Sequence, residues 1–416
     1  MVINIPAWEQ RYHYPTADGS FIQTWLVKNW DINKWIRELK VLKEADMNYL
    51  ILAPSVVDER NSLSKAIYPS KLRWIEKSEY DTIEACLSAC ESLDLKVFLG
   101  LNEDRHWWQM KEEDNDWFLG EMQRGNEIAS EIYSRYKNRY PKTFFGWYFV
   151  WEFSSLHLKT SSYQIAFAQA FSLQLDFLSE LDPTMPLMFC PYMVDTEKTP
   201  DETYETWSTF FDHARLRPGD IFCPQDAVGA GWLKLDNFVE YFAACKKAAN
   251  KVPGLLFWSD AETFCQETWT STTMDRFLSQ LKLSSNLVDN YVTFSYCHYF
   301  SPYIVPKGYH KAYLEYVRLG KLVKETVTPP NVEWTYKDGQ IVLFWDRQNI
   351  DDICGYLIYQ DGIFKKKLQP KPKRDSEFVL ADSYKDAPSS KETSFSVVAY
   401  DYKGNKAVPV CVKVSI

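Results

Sequence analysis

The stretch Phe144-Phe145-Gly146-Trp147-Tyr148-Phe149-Val150-Trp151-Glu152 decides the fold class of this chain. Its first eight residues are apolar or glycine and lack the alternation of a half-exposed strand. The run therefore predicts a strand that is buried on both faces. It ends abruptly at the carboxylate of Glu152. A carboxylate in that position has to be solvated, paired or used in chemistry, because the burial of an unpaired charge is costly.

Seven further apolar runs surround this stretch, and each of the eight is followed by a helical pattern. The eight predicted strands cover residues 20–27, 48–54, 96–102, 144–152, 186–192, 220–226, 255–261 and 291–300. Strict alternation of strands and helices predicts an α/β fold with a parallel sheet, and eight units close naturally into a (β/α)8 TIM barrel. The rival is an open doubly wound sheet, which normally has a glycine-rich turn after its first strand. Here that turn is Lys28-Asn29-Trp30-Asp31, which favours the barrel.

The pattern changes beyond Thr328-Pro329-Pro330, which has the composition of a linker. Short strands separated by turn residues follow, and they predict an all-β sandwich. We therefore predict a barrel domain over residues 1–327 and a small β-sandwich over residues 328–416. Residues 395–405 resemble the penultimate strand and turn of fibronectin type III domains, and Trp345 stands where that family has its core tryptophan. This resemblance covers residues 329–416 and implies a fibronectin type III-like module that the barrel does not need for folding.

Composition limits the class of partner. The 416 residues are 46% hydrophobic and carry a net charge of −9, which argues against a nucleic acid. No run of eighteen apolar residues predicts a membrane span, and the N-terminus lacks the basic and apolar regions of a signal peptide. Most of the nine cysteines fall inside predicted strands and helices, as buried thiols do. We expect a cytoplasmic protein or a mature form without a signal. The oligomeric state stays open.

The sequence predicts neither a metal site nor a cofactor. Its six histidines are dispersed and form no HxH or HExxH pair. There is no Walker loop and no serine-nucleophile motif. The short segment Gly229-Ala230-Gly231 is a weak phosphate signal, and we interpret it as a turn.

Two carboxylates at strand ends indicate the chemistry. Glu152 ends the fourth predicted strand and Glu262 follows the seventh, so both should lie at the barrel mouth, where the active sites of such barrels are found. Glycoside hydrolysis uses such a pair, with one protonated acid and one ionised carboxylate. Each glutamate alone could instead be a salt-bridge partner or a helix cap. Asp260 shares a strand face with Glu262 and could be the reacting group in its place.

On these residues the chain resembles the large clan of retaining barrel glycosidases, which have the acid/base after strand four and the nucleophile after strand seven. It is more similar still to a bacterial group of barrel proteins known only as a domain of unknown function. That group shows Gly-Trp-Tyr…Glu at strand four, Gln-Asp…Gly at strand six and a glutamate at strand seven. The matching segments are Gly146-Trp147-Tyr148 with Glu152, Gln225-Asp226-Ala227-Val228-Gly229, and Glu262. The resemblance spans residues 20–305 and implies a carbohydrate substrate. Trp151 stands where the clan usually has asparagine, so retention and inversion both stay open.

Substrate contacts are expected from polar side chains at strand ends and from aromatic rings, which stack on sugar faces. The candidate binding residues are Gln23, Asn102, Trp107, Tyr148, Tyr192, Gln225, Asp226, Trp258, Asp260 and His298. Each ring could instead pack in the core, and Asp226 could hold the loop around Gly229. The leading hypothesis is a glycoside hydrolase. The alternative is a barrel that binds glycans without cleaving them, with the sandwich as a spacer or docking module.

Overall fold

The structure is a computed structural model, and it describes residues 6–58, 63–109, 114–154, 157–374, 377–388 and 392–416. The chain forms two compact units. The first contains Met1–Glu262 and Ser279–Cys297, and the second contains Thr263–Leu278 and His298–Ile416. This division does not coincide with the domain boundary at residue 328, which stays a prediction.

From residue 19 to residue 262 the barrel strands alternate with helices, and short extra strands follow β2 and β6. In chain order they are β1 Gly19–Gln23, α1 Ile32–Glu44, β2 Tyr49–Ala53, β3 Val56–Asp58, β4 Ser64–Ala66, β5 Ile75–Glu76, α2 Thr82–Ser92, β6 Lys96–Gly100, β7 Asn102–Asp104, α3 Asn115–Tyr136, β8 Phe144–Phe149, α4 Ser161–Leu181, β9 Leu187–Phe189, α5 Pro200–His213, β10 Ile221–Phe222, α6 Phe238–Ala249 and β11 Leu256–Glu262. The next elements are β12 Phe264–Cys265, β13 Thr270–Ser271, α7 Met274–Ser284, β14 Asn290–Phe294, α8 Tyr296–Tyr299 and α9 Gly308–Leu319.

Eight of these strands close a barrel, as the sequence predicted. Their order around the barrel is β1-β14-β11-β10-β9-β8-β6-β2, and every neighbouring pair is parallel. Closure occurs at β1, where Gly19 pairs with both Tyr49 and Val292. The (β/α)8 prediction is confirmed. The regular part of β10 is only two residues long, and β14 ends at Phe294, six residues earlier than predicted.

The barrel interior is filled by side chains from alternate strand positions. Phe98, Tyr148, Met188 and Trp258 belong to one buried cluster inside the barrel. Gly146 is needed among them, because a Cβ there would lie 2.5 Å from Cε1 of Phe98. Packing of large rings therefore uses a glycine on the neighbouring strand to make room.

Helices α1 to α5 each begin with a side-chain cap, and α1 and α5 are examples. The Asp31 carboxylate accepts a hydrogen bond from the Lys34 N–H at 2.8 Å at the start of α1. At α5, Thr199 and Glu202 form a reciprocal capping box, with Pro200 in the first helical turn. These caps satisfy N–H groups that a helix leaves unpaired at its start, so the strand-to-helix turns have defined end points.

A small sheet forms from the segments that follow β2 and β6. Its order is β5-β4-β3-β7, and β3 runs parallel to β7 with Val56 opposite Asn102 and Asp58 opposite Asp104. This sheet places residues from two consecutive strand ends next to each other.

Seven strands after residue 330 form two antiparallel sheets of the second unit, consistent with the predicted sandwich. They are β15 Val332–Lys337, β16 Gln340–Trp345, β17 Gly355–Gln360, β18 Ile363–Leu368, β19 Ser383–Asp386, β20 Glu392–Tyr400 and β21 Val410–Ser415. The sheet orders are β15-β16-β19 and β18-β17-β20-β21. Trp345 packs on Tyr356 with ring centroids 4.9 Å apart. The fibronectin type III assignment stays a prediction.

Helix α9 packs within this second unit. The hydroxyl of Tyr309 lies 2.9 Å from Sγ of Cys354, and its ring meets that of Tyr402 edge-on at 4.7 Å. Val327, just before the predicted boundary, is buried in the core of the sandwich. These contacts tie the last helix of the α/β pattern to the sandwich. None of the helices in the described residues is long and apolar enough to cross a membrane.

Candidate active site

Glu152 lies just beyond the end of β8 and is half-buried. Its backbone carbonyl accepts a hydrogen bond from Nε1 of Trp107 at 3.1 Å. Burial raises the pKa of the Glu152 carboxyl to about 7; a hydrogen bond from Gln225 opposes this rise, and the charge of Glu103 adds to it. Glu152 can therefore hold a proton near neutral pH, as the sequence predicted for an acid.

Asp260 is the carboxyl group that the other acidic residues surround. It is 2% exposed, and burial raises its pKa well above the usual range, helped by the charges of Glu262, Asp226 and Glu152. Within the described residues its Oδ1 atom has no hydrogen-bond partner. Four carboxylates cannot all be ionised at close range, so Asp260 is the member that keeps its proton.

Glu262 ends β11 and is also 2% exposed. Its Oε2 atom accepts a hydrogen bond from the backbone N–H of Ala230 at 2.7 Å. Because a backbone N–H can only donate, Oε2 of Glu262 is the acceptor in this contact. The turn at Gly229-Ala230-Gly231 thus holds Glu262, which agrees with its interpretation as a turn.

Asp226 holds the loop around Gly229 through buried hydrogen bonds. It is 1% exposed, and its Oδ1 accepts from the Val228 N–H at 3.1 Å. Its Oδ2 accepts from Nε2 of Gln280 and from the Glu262 N–H at 3.3 Å. Of the two roles predicted for Asp226, this geometry matches the loop-holding one, because buried donors already use both oxygens.

Gln280 is a site residue that the sequence analysis missed. It lies on α7 and is 1% exposed, and its Nε2 also donates to the Glu262 carbonyl at 3.0 Å. A buried glutamine on the apolar side of a helix was the available signal, because such an amide requires partners.

Two of the predicted binding rings lie inside the barrel. Tyr148 is 4% exposed and meets Phe21 edge-on at 5.1 Å, with Glu152 near enough to affect the Tyr148 pKa. Burial raises that pKa well above the usual range. Trp258 packs edge-on against Tyr49 at 5.3 Å. Both rings lie inside the barrel, and the charges of Glu152 and Asp260 act on Tyr148.

Trp107 is a packing residue, contrary to the expectation of a sugar platform. It is 1% exposed, stacks on His157 with centroids 4.3 Å apart, and meets Trp151 edge-on at 5.7 Å. The next residue, Trp108, is 52% exposed and donates from Nε1 to Oε1 of Glu103 at 3.1 Å. The two rings differ in exposure because the short 3-10 helix Trp107–Gln109 turns only the Trp107 ring inward.

Tyr192 and Gln225 lie where a substrate could reach them. Tyr192 is half-buried, its hydroxyl hydrogen-bonds Ser154, and its ring is 6.2 Å from that of Trp232, which is 38% exposed. Gln225 is half-buried and donates to the Cys190 carbonyl at 3.1 Å as well as to Glu152. Both positions agree with a binding role.

Asn102 does not face the barrel mouth. It is 2% exposed, and its Nδ2 donates to Oε2 of Glu121 on α3 at 2.8 Å. It starts β7 after the strand proper has ended at Gly100, so its side chain turns toward the helix layer. The prediction that Asn102 binds a sugar hydroxyl is corrected accordingly.

An acidic cluster forms beside Asn102, although the sequence predicted no metal site. One carboxylate oxygen each from Asp58, Asp104 and Glu121 lies within 4.8 Å of the others. Burial raises the pKa of Glu121 to about 7, and Arg124 opposes this rise. Arg124 forms ion pairs with Asp58 and Glu121, so a guanidinium already balances the cluster.

The two remaining candidates are Gln23 and His298. Gln23 ends β1, is half-buried, and accepts a hydrogen bond from Nε1 of Trp25 at 2.8 Å. His298 lies in the one-turn helix α8, not in a strand, and belongs to the second unit. Burial, helped by the nearby charge of Arg374, lowers its pKa to about 3. His298 is therefore neutral at physiological pH.

Known proteins with related sequences or folds were compared with this chain. The family described as Domain of unknown function (DUF4434) matches residues 17–305. No curated protein matches the sequence. A solved structure of a proposed alpha-L-fucosidase from Bacteroides thetaiotaomicron VPI-5482 is similar at 18% identity and a TM-score of 0.56, covering 73% of this chain and 90% of that one.

Two more distant structures are similar only at TM-scores below 0.5. A Bacteroides uniformis beta-glucuronidase is 10% identical with a TM-score of 0.45, and this chain spans 46% of its length. Chitinase ChiA74 from Bacillus thuringiensis is 11% identical with a TM-score of 0.40, covering 96% of this chain and 84% of that one. At these identities the similarity of the fucosidase structure establishes the barrel fold alone.

Proposed function

This chain belongs to the DUF4434 family, and from the geometry of its barrel mouth we propose that it hydrolyses a glycosidic bond of a carbohydrate. Glu152 serves as the general acid/base and Glu262 as the nucleophile of a retaining reaction. The proposal rests on the surroundings of Asp260. The charges of both Glu152 and Glu262 raise the pKa of this buried carboxyl group. Two carboxylates from the ends of β8 and β11 thus lie close enough to share one neighbour.

The two glutamates have opposite surroundings, as this chemistry requires. Glu152 is desolvated and has a pKa of about 7, so it can protonate the leaving oxygen of the sugar. Glu262 accepts a hydrogen bond from the Ala230 N–H on Oε2, which fixes its carboxylate at the strand end, and it is the group that attacks the anomeric carbon. Glu152, deprotonated in the first step, then activates the water that releases the product.

Asp260 takes a supporting role in this scheme. A neutral carboxyl group is a weak nucleophile but can donate a hydrogen bond. Its Oδ1, buried and without a partner in the described chain, would orient a neighbouring carboxylate or a sugar hydroxyl. The competing assignment, with Asp260 as nucleophile, requires it to ionise beside three other carboxylates.

The test uses three isosteric variants, Glu152→Gln, Glu262→Gln and Asp260→Asn, on substrates found by screening a glycan library for released reducing ends. Glu262→Gln should lose turnover on every substrate by at least about 10³-fold. Glu152→Gln should keep most of its activity on aryl glycosides whose leaving groups need no protonation. Azide should restore Glu152→Gln as a glycosyl azide of retained configuration, because attack on the covalent intermediate needs no general base.

The pH profile provides an independent readout. Glu152 must carry a proton to act as the acid, so kcat/KM should fall as the pH rises above about 7. That alkaline limb should disappear in Glu152→Gln with activated substrates. Wild-type activity of Glu262→Gln, or total loss in Asp260→Asn with activity surviving in Glu262→Gln, would contradict the assignment. Glycan binding by the wild type with no turnover of any library member would indicate the non-catalytic barrel instead.

A further inference from the structure

A groove of about 600 Å³ lies in the first unit, beside the candidate active site. Its lining comes from the turn after β1 and from the small sheet β5-β4-β3-β7. Two of its lining residues connect it to the catalytic groups. Gln23 ends a barrel strand, and Glu103 is near enough to Glu152 to raise the pKa of that carboxyl group. A sugar chain bound at Glu152 could therefore extend into this groove.

The lining is cationic, although the protein as a whole carries a net charge of −9. The described lining residues include four basic side chains and two acidic ones. Lys65 stands opposite one of the acids, Glu76, in the register of β4 and β5. The other acid, Glu103, accepts a hydrogen bond from Trp108.

Three cations in the groove are left without an acidic partner. Lys28, Lys77 and Arg105 are exposed, and none of them forms an ion pair with a carboxylate in the described parts of the chain. They come from three separate segments that the fold brings to one groove. A set of unpaired cations in a concave surface concentrates the field and attracts anions.

The groove also offers an aromatic surface. Trp25 is 68% exposed, and its Nε1 donates to Gln23, which holds the ring at the groove wall. A ring fixed in this way can stack on the apolar face of a sugar while nearby cations bind its charged substituents. Ring and cations together suit a charged sugar better than a simple anion.

We propose that this groove binds the part of the substrate next to the cleaved bond, and that this part is a sugar carrying carboxylate or sulfate groups. The inference adds a substrate class to the proposed function. It depends on that function only in treating the bound sugar as a substrate. The binding claim itself does not require turnover. Lys28, Lys77 and Arg105 are its specificity-determining residues, and Trp25 is its stacking platform.

The test is isothermal calorimetry on the Glu152→Gln variant at low salt. Tetragalacturonate is compared with its fully methyl-esterified form, and dextran sulfate with dextran, so that carboxylate and sulfate are distinguished. The charged member of at least one pair should bind about tenfold or more tightly than its neutral partner. Added salt should weaken that binding, because exposed charges are screened.

Two further variants, made in the same Glu152→Gln background, assign the effect to the groove. The triple variant K28Q/K77Q/R105Q should bind the charged probe about tenfold more weakly, because it loses three exposed ion pairs to the probe. Lys40→Gln is the single-charge control, exposed on α1 and outside the groove, and it is compared with Lys77→Gln. Trp25→Ala should weaken binding of the charged probe as well.

The outcomes separate this inference from the proposed function. Equal affinity for charged and neutral probes, no binding of any of the four, or equal effects of Lys40→Gln and Lys77→Gln would overturn the groove assignment. Charge-selective binding with no hydrolysis by the wild type would leave the groove standing and refute the hydrolase. Hydrolysis of charged substrates that the triple variant performs unchanged would do the reverse.

Discussion

Trp107 and Trp108 are adjacent in sequence, yet one is 1% exposed and the other 52% exposed. Trp107 is held by rings on several sides and by its hydrogen bond to the Glu152 carbonyl. It therefore holds the backbone of Glu152, the acid of the proposed reaction. Trp108 touches Glu103, a residue of the cationic groove, and can meet solvent or substrate.

At the residue scale, the two tryptophans predict a sharp contrast on truncation. Trp107→Ala should lower the free energy of unfolding by about 3–5 kcal/mol, because it leaves a cavity among packed rings. Trp108→Ala should change it by at most about 0.5 kcal/mol. Urea unfolding followed by circular dichroism measures both, and Trp108→Ala is the matched control. Similar losses in the two variants would contradict the packing described for Trp107.

At the scale of elements, β8 contributes side chains to the barrel interior and leads directly to Glu152. Gly146 and Tyr148 point inward from it, and Glu152 follows two residues after the last inward apolar position, Val150. Gly146 is the tightest point, with Phe98 on one neighbouring strand and the backbone of Pro186 next to the other. The strand can approach both neighbours only because it has no side chain there.

A single methyl group added to β8 should therefore be costly. Gly146→Ala would place its Cβ 2.5 Å from Cε1 of Phe98 and 2.7 Å from the Pro186 carbonyl oxygen. We expect a loss of about 1–3 kcal/mol in the free energy of unfolding from overpacking. Gly120→Ala on α3 is the control, since nothing lies within 4 Å of its Cβ position. That change should stabilise by about 0.5–1 kcal/mol through helix propensity. A neutral Gly146→Ala would show that the strand can shift.

At the scale of the whole molecule, the second unit contains more than a sandwich. The ring of Tyr402 fills the space above Gly308 at the start of α9, and Lys403 forms an ion pair with Glu315 of that helix at 2.8 Å. Both contacts join residues of the second unit. The proline-rich segment at residues 328–330 therefore marks a change of pattern in the sequence. Helix α9, which precedes this segment, nevertheless contacts residues that follow it.

A cut in the chain should not separate α9 from the sandwich. A protease site inserted next to Lys321, which is exposed, would divide the two after cleavage. We expect the fragments to co-elute on gel filtration, because Tyr309 and Tyr402 are buried against each other. Tyr402→Ala should allow them to come apart more readily. Immediate separation of the wild-type fragments, with an intact barrel, would instead favour the independent domains expected from the sequence.

Sequence patterns were sufficient for what depends on neighbours along the chain. The apolar run ending at Glu152 specified a buried strand, and repetition of the strand–helix unit specified the barrel, because the periodicity of burial is a local property. The change to short strands after residue 330 likewise predicted a second, all-β part.

Only the tertiary structure decided which way individual side chains point and which distant residues meet. Asn102 follows a barrel strand as predicted but turns to Glu121, because its own short strand pairs with β3. Asp260 is surrounded by carboxylates from three strand ends, and the groove gathers cations from residues 28, 77 and 105. These encounters depend on barrel closure and loop placement, which join residues far apart in the chain, so no local pattern contains them.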